Sequence, residues 1–281
     1  MATFVDGKAL AASVRVGLAE RVRLLKTQDI HPCIAVILVG DDVASQIYVR
    51  GKIRACEETG IVHQAHQLPD NTTEAALLGL ITQLNHDATV HAILVQLPLP
   101  PHISKKNILD AVHPDKDVDG FHSLNTGRLA LGLPGIRPCT PLGIMEILRH
   151  HNIPIAGAHA VVVGRSRIVG RPAAFLLMAA DATVTLCNKA TKNLRAHIER
   201  ADILVTAVGK PHFIPGDWIK PGAVVIDVGI TRLPDGTLHG DIDTATAATR
   251  ASLITPVPGG VGPMTIAMLL QNTVELASRE S

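Results

Sequence analysis

VVVGRSRIVGRP, residues 161–172, is the stretch on which the fold of this chain turns. Val161, Val162 and Val163 form an apolar run of the kind buried in a parallel sheet. Gly164, Arg165 and Ser166 make a tight turn, and Gly170, Arg171 and Pro172 lead into an alanine- and leucine-rich stretch of helical composition. A strand feeding a turn and then a helix N-terminus aims backbone N–H groups and the positive helix end at one place, which suits a pyrophosphate. The glycine spacing departs from G-x-G-x-x-G: Ser166 stands at the second glycine and Gly170 comes one residue late. The stretch reads as the phosphate-gripping turn of a dinucleotide-binding domain.

Working outward, the next strand-like run, 183–187, ends in Asn188 and Lys189 with no acidic residue to hold a ribose 2′-hydroxyl. Arg165 in the turn adds a basic group, so the pattern favours NADP over NAD. Further β-runs follow at 203–208 and 224–228. Upstream, strand-like runs at 34–39, 62–68 and 92–97 alternate with helical patterns at 43–59 and 74–85, the rhythm of a parallel sheet with crossover helices. Pro138 and Pro141 punctuate the chain before another helical pattern and the strand at 158–163. The last segment, 263–279, places Ile266, Leu269, Leu270, Thr273, Val274 and Ala277 on one helix face that returns to the first domain. The expected architecture is α/β, with two α/β domains flanking a cleft. Residues 1–139 plus 263–281 form one domain, and 140–262 form a smaller Rossmann-type doubly wound parallel sheet.

Composition narrows the function. The net charge over 281 residues is +1 and no Lys/Arg run exceeds two, which removes the phosphate-neutralising stripe of a nucleic-acid binder. The apolar content of 47% comes from aliphatic side chains, with only 2% aromatic, as buried parallel strands require. No window approaches a bilayer span and the N-terminus lacks a signal pattern, so a cytoplasmic protein without membrane contact is expected. Cys33, Cys56, Cys139 and Cys187 stand singly, signalling neither zinc nor a disulfide framework. PDKDVDG, 114–120, opens like an EF-hand, but Thr126 occupies the twelfth loop position where a bidentate glutamate belongs, so no metal is expected.

Four features carry chemistry. Tyr48 and Lys52 are four apart on a helix and share a face. The same spacing in short-chain dehydrogenases follows the cofactor turn, whereas here it precedes it by over a hundred residues. Gln96 ends a parallel strand, on the side of the sheet where open α/β proteins bind ligands. Asp115, Asp117 and Asp119 crowd three carboxylates together, so one of them is expected to meet a cationic or hydrogen-bond-donating ligand ring. Residues 256–263, PVPGGVGP, form a turn whose glycines admit close approach of a ligand and whose prolines limit motion.

Taken together, YVRGK at 48–52, VQLPLP at 95–100, PDKDVDGF at 114–121, PCTP at 138–141, GRSRIVGRP at 164–172, VIDVGI at 225–230 and PVPGGVGPMT at 256–265 resemble the bifunctional methylenetetrahydrofolate dehydrogenase/methenyltetrahydrofolate cyclohydrolase family, in its order and over nearly the whole chain. The resemblance implies NADP-linked oxidation of 5,10-methylenetetrahydrofolate, hydrolysis of the methenyl product to 10-formyltetrahydrofolate, and a homodimer. It implies that Lys52 is the catalytic lysine, that Tyr48 stacks on the aminobenzoyl ring, that Gln96 holds and tunes the lysine, and that Asp119 anchors the pterin. Val49, Arg50, Gly51, Val95, Leu97, Pro258, Gly259, Gly260, Val261 and Gly262 complete the implied folate contacts. Gly164, Arg165, Ser166, Val169, Gly170, Lys189, Thr191 and Ile230 are the implied cofactor contacts. The family commonly carries His-Ser where this chain has Asn188 and Lys189.

Overall fold

In the computed structural model, which describes residues 2–280, the elements run β1 (Thr3–Phe4), α1 (Gly7–Lys26), β2 (Cys33–Val39), α2 (Val43–Thr59), β3 (Val62–Leu68), α3 (Glu74–His86), β4 (Ala92–Val95), α4 (Lys105–Ala111), α5 (Ser123–Ala130), α6 (Cys139–His150), β5 (His159–Val163), α7 (Gly170–Ala179), β6 (Thr183–Cys187), α8 (Leu194–Ile198), β7 (Ile203–Thr206), β8 (Val224–Asp227), β9 (Thr231–Arg232), β10 (Leu238–His239), α9 (Thr244–Ala247), β11 (Leu253–Ile254) and α10 (Val261–Ala277). They fall into two compact units. One comprises Ala12–Cys139 and the chain from Ile266 onward; the other comprises the chain up to Ala11 and Thr140–Thr265.

The first of these holds a three-stranded parallel sheet in the order β3-β2-β4. All seven residues of β2, CIAVILV, are buried, the continuous apolar run of a strand covered on both faces. α2 starts where the Asp42 carboxylate accepts the Ser45 N–H at 2.7 Å and stops at Gly60, whose φ of +76° a side chain would resist. The core packs Ile37, Leu77, Ile81, Ile93 and Ile108 together, each contributing about 1.5–3 kcal/mol by burial. Because β2 lies between β3 and β4, the connections diverge and leave a switch point between β2 and β4 at their carboxyl ends, where ligands bind in such sheets. An isolated parallel bridge, Ile93 to Asp117, then brings the acidic segment alongside β4.

The second unit holds a six-stranded sheet ordered β1-β11-β8-β7-β5-β6, with every pairing parallel. Its switch point lies between β5 and β7, at the end of the valine run. Val161, Val163, Leu204, Val225 and Ile254 belong to its core. β9 and β10 pair separately as an antiparallel ribbon.

The division differs from the expected one. The first eleven residues join the Rossmann-type unit because Thr3 and Phe4 pair with Leu253 and Ile254 and extend its sheet. Gly7 also abuts the glycine-rich loop, so closely that a Cβ there would lie 1.9 Å from the Gly260 carbonyl oxygen. At the other end the division falls after Thr265, three residues beyond the expected boundary, and the half expected to be smaller carries the larger sheet. α1 is an element that the sequence reading lacks. No described helix is long and apolar enough to cross a membrane. All four cysteines are buried and free.

Candidate functional site

α2 carries Tyr48 and Lys52 one turn apart, with Tyr48 exposed and Lys52 buried. Buried lysines are rare unless paired, and the partner here is Gln96, which follows β4 directly. The Lys52 Nζ donates to Gln96 Oε1 at 2.9 Å. Gln96 is itself fixed: its N–H donates to Ile37 O at 2.8 Å, and its Nε2 donates to Leu97 O at 2.6 Å, which turns its oxygen towards the amine. Burial pushes the Lys52 amine down from the ordinary lysine value, with the Asp119 charge opposing. Burial pushes the Asp119 carboxyl up to about 6, while Lys52 pulls it down and Asp117 pushes it further up. Loss of water thus disfavours the charged form of both groups, while each charge favours the other.

The three crowded acids separate into three roles. Asp115 is exposed and lies 3.6 Å from Arg128. Asp117 is buried and accepts N–H groups from Phe121 at 3.1 Å and His122 at 2.8 Å, and the Asn125 side-chain amide at 2.9 Å, so it folds the loop. Asp119 alone faces Lys52 electrostatically. Cys139, from the PCTP motif, completes the cluster. Its thiol donates to Val118 O at 3.5 Å, and burial raises it well above the ordinary thiol range, keeping it protonated. Sequence reasoning gives Cys139 no role, and Asn272, which contacts it, is missed altogether; a cysteine between prolines in a recurring motif is the signal that was available.

The remaining folate candidates differ in what their side chains can reach. Val49 and Val95 are buried in the core, Arg50 is exposed, Leu97 is half-buried, and Gly51 lies against Ile266, where a Cβ would meet Cδ1 at 3.6 Å. Pro258, Gly259, Gly260, Val261 and Gly262 belong to the unit with the larger sheet or to the start of α10. Pro258 and Gly262 are exposed, Gly260 and Val261 are buried, and Gly259 takes φ +105°.

The phosphate turn has the geometry its sequence implies. Gly164 takes φ +118°, and a Cβ there would lie 2.3 Å from Ala207 O, across the switch point; a Cβ on Gly170 would lie 1.9 Å from Gly164 O. The start of α7 therefore packs backbone to backbone on the end of β5. Val169 precedes α7 and supplies no side-chain cap. Instead the Ser166 hydroxyl accepts the N–H groups of Val169 at 3.1 Å and Gly170 at 3.3 Å, leaving its own proton to donate outward. At the end of β6, Thr191 Oγ1 accepts the Asn188 N–H at 2.8 Å and Asn188 Oδ1 accepts the Ala190 N–H at 3.0 Å, an ordered loop from which Lys189 projects exposed. Arg165 and Ile230 are also exposed. This donor set, with no acid at the ribose position, fits a dinucleotide bearing a 2′-phosphate. Among the described residues no group of three or more His, Cys, Asp or Glu is arranged to hold a metal.

Residues 5–119 match the model of the tetrahydrofolate dehydrogenase/cyclohydrolase catalytic domain, and residues 138–281 match that of the NAD(P)-binding domain of the same family. The chain is 57% identical over 280 residues to the bifunctional protein FolD of Magnetococcus marinus, covering 99% of this chain and 98% of that one. It is similar in structure to the bifunctional FolD enzyme of Campylobacter jejuni, at 50% identity and a TM-score of 0.98 with both chains covered in full. It is also similar to the methylenetetrahydrofolate dehydrogenase-cyclohydrolase of Trypanosoma brucei complexed with NADP and an inhibitor, at 40% identity, a TM-score of 0.95 and coverage of 99% and 98%.

Proposed function

The chain belongs to the tetrahydrofolate dehydrogenase/cyclohydrolase family, and from that premise we propose the part each residue plays in its two reactions. The protein oxidises 5,10-methylenetetrahydrofolate to the methenyl form with NADP and hydrolyses the methenyl form to 10-formyltetrahydrofolate. The unit of Ala12–Cys139 with the chain from Ile266 is the folate side. Thr140–Thr265 is the NADP side. The hydrogen bond from Lys52 Nζ to Gln96 Oε1 at 2.9 Å, beside a carboxylate raised to about 6, is the observation that carries the reading.

Asp119, as carboxylate, accepts from the pterin N–H groups, and the exposed ring of Tyr48 offers a stacking face for the aminobenzoyl group. When bound, NADP supplies a hydride acceptor for the methylene carbon. The product is a cation, and burial, by disfavouring the charged form of the Lys52 amine, lessens its repulsion of that product. In the second reaction water attacks the methenyl carbon and Lys52 takes its proton. The bond to N5 then breaks as the carbinol oxygen loses its proton and becomes the formyl carbonyl. Lys52 returns one proton to N5, and one is released to solvent. Gln96 orients the amine through these transfers without adding charge. On the cofactor side, Ser166 and the start of α7 would hold the pyrophosphate, Arg165 and Lys189 with Thr191 would hold the 2′-phosphate, and Ile230 would offer an apolar contact to the nicotinamide.

Two further attributes complete the reading. Four free, buried cysteines suit a reducing compartment, the cytoplasm. A homodimer is supported by β3, the open edge of its sheet, and by the buried Nε2 of His66 on that strand, which has no hydrogen-bond partner among the described residues. The test of the function is to supply methylenetetrahydrofolate with NADP or NAD and follow reduced cofactor and the methenyl intermediate together. Reduction of NADP in preference to NAD, with decay of the intermediate, is expected. Reduction of neither cofactor would overturn the reading.

A further inference from the structure

Asn272 lies in α10 and is 1% exposed. Its Nδ2 donates to Val118 O at 2.8 Å and to Arg137 O at 2.9 Å, and Cys139 Sγ lies 3.6 Å away. The two hydrogens of one amide nitrogen are thus spent on two carbonyls, with the sulfur as a weaker third neighbour. Both carbonyls are informative. Val118 immediately precedes Asp119, and Arg137 lies two residues before Cys139.

The two segments that Asn272 bonds already run in contact. Gly120, just past Asp119, takes φ +66°, and a Cβ there would sit 2.8 Å from the Arg137 carbonyl carbon and 2.9 Å from Pro138 N. The Cys139 thiol crosses the same gap to Val118 O at 3.5 Å. On the far side of Asp119, the Asp117 carboxylate holds the Phe121 and His122 N–H groups. The backbone around Asp119 is therefore fixed from both sides, and the side chain that joins the two segments comes from a helix more than a hundred residues away. A buried amide placed only for packing would be replaced at less cost by an aliphatic side chain of the same size.

We propose that Asn272 is a positioning residue for the folate-side chemistry: by bonding Val118 and Arg137 it ties the two segments together and holds the Asp119 carboxylate in register with the Lys52 amine. The proposal rests on the assignment of Asp119 and Lys52 to the folate site. Asn272 acts through Asp119, so its effect belongs to folate and not to NADP. Asn272→Leu keeps the size of the side chain and removes both donors.

The test is a double-mutant cycle of Asn272→Leu with Asp119→Asn, read as kcat/KM for methylenetetrahydrofolate, with the KM for NADP and the thermal midpoint measured for every variant. Asn272→Leu alone should lower kcat/KM about tenfold, the equivalent of one lost hydrogen bond in a buried site, while the KM for NADP stays within about twofold. In the Asp119→Asn background the same change should cost less than about twofold, because the group it positions is already altered. Equal losses in the two backgrounds, a parallel rise in the KM for NADP, or no loss at all would overturn the role of Asn272. If Asn272→Leu does not fold, Asn272→Ser, which keeps one donor, carries the same cycle with the same contrast between backgrounds. Wild-type turnover in the same assay separates the two assignments: an inactive wild type overturns the folate reading and the proposal with it, and an active wild type with an uncoupled cycle overturns the proposal alone.

Discussion

Lys52 and Asp119 are shifted in opposite senses by the same cause, loss of water, and the shifts bring both groups towards neutral pH, where acid–base work is done. Asp119 is an acid whose value in the fold, about 6, stands above its ordinary 3.8. The fold therefore favours its protonated form, and the contribution of that form is fully present below about 4 and lost as pH rises through about 6. Two consequences follow for one carboxylate. If Asp119 holds the pterin as proposed, dehydrogenase kcat/KM should fall by about tenfold per pH unit below about 6 as its carboxylate is protonated, and Asp119→Asn should flatten that limb at a lower level. Asp119→Asn should also melt higher than wild type at pH 7.5, with the gap closing as pH falls towards 4. A wild-type profile that stays flat through pH 6 would separate Asp119 from folate binding. At this scale Lys52 and Gln96 were legible in the sequence because each stands at a position with a mechanical meaning, a helix face and a strand end. Asn272 was not. It lies off the apolar stripe of Ile266, Leu269 and Leu270, and nothing in a helical pattern marks a polar residue that is buried against carbonyls from elsewhere in the chain.

At the scale of the element, the same glycine serves opposite ends. Gly170 opens α7 against the backbone of Gly164, so Gly170→Ala should destabilise the protein by about 1–3 kcal/mol and raise the KM for NADP with little change in that for folate. Gly79 sits in the exposed interior of α3 with nothing within 4 Å of its added Cβ, so Gly79→Ala should stabilise by about 0.5–1 kcal/mol and leave both KM values alone. Chemical denaturation of the two variants measures the contrast, and a stabilising Gly170→Ala would contradict the close packing at the phosphate turn. The turn was readable because a valine run, an irregular glycine pair and a helix must follow one another for a phosphate to be gripped. The late Gly170 finds its reason in the packing, where it is the contact point with the residue that follows β5, Gly164. Elements whose signal is short or non-local were not readable. β1 is two residues long, too few for any periodicity, and its partner β11 lies some 250 residues away. α1 did carry a signal, the carboxylate of Asp6 that accepts the Ala9 N–H at 2.9 Å, placed one residue before the first helical turn.

At the scale of the whole molecule, two parallel sheets, each with its own switch point, lie in two units, to which the proposed function assigns folate and NADP respectively. The segment crossing from one sequence half to the other unit, through Thr3 and Phe4, makes the division discontinuous at both ends of the chain. A second copy laid on the open β3 edge would give a particle of twice the 29.7 kDa chain mass in sedimentation equilibrium, and a monomer at micromolar concentration would contradict the homodimer. The two activities are separable in principle because hydride transfer is largely a matter of holding two carbons together, whereas hydrolysis of the methenyl cation needs a base at the carbon itself. Lys52 is that base. The most direct measurement is to feed methylenetetrahydrofolate and NADP to wild type and Lys52→Met and record NADPH and the methenyl intermediate together. The account predicts that in Lys52→Met the hydrolysis falls by about 10²- to 10⁴-fold while NADP reduction falls less, so that the methenyl form accumulates. Both activities retained equally, or both lost in the same proportion, would contradict it.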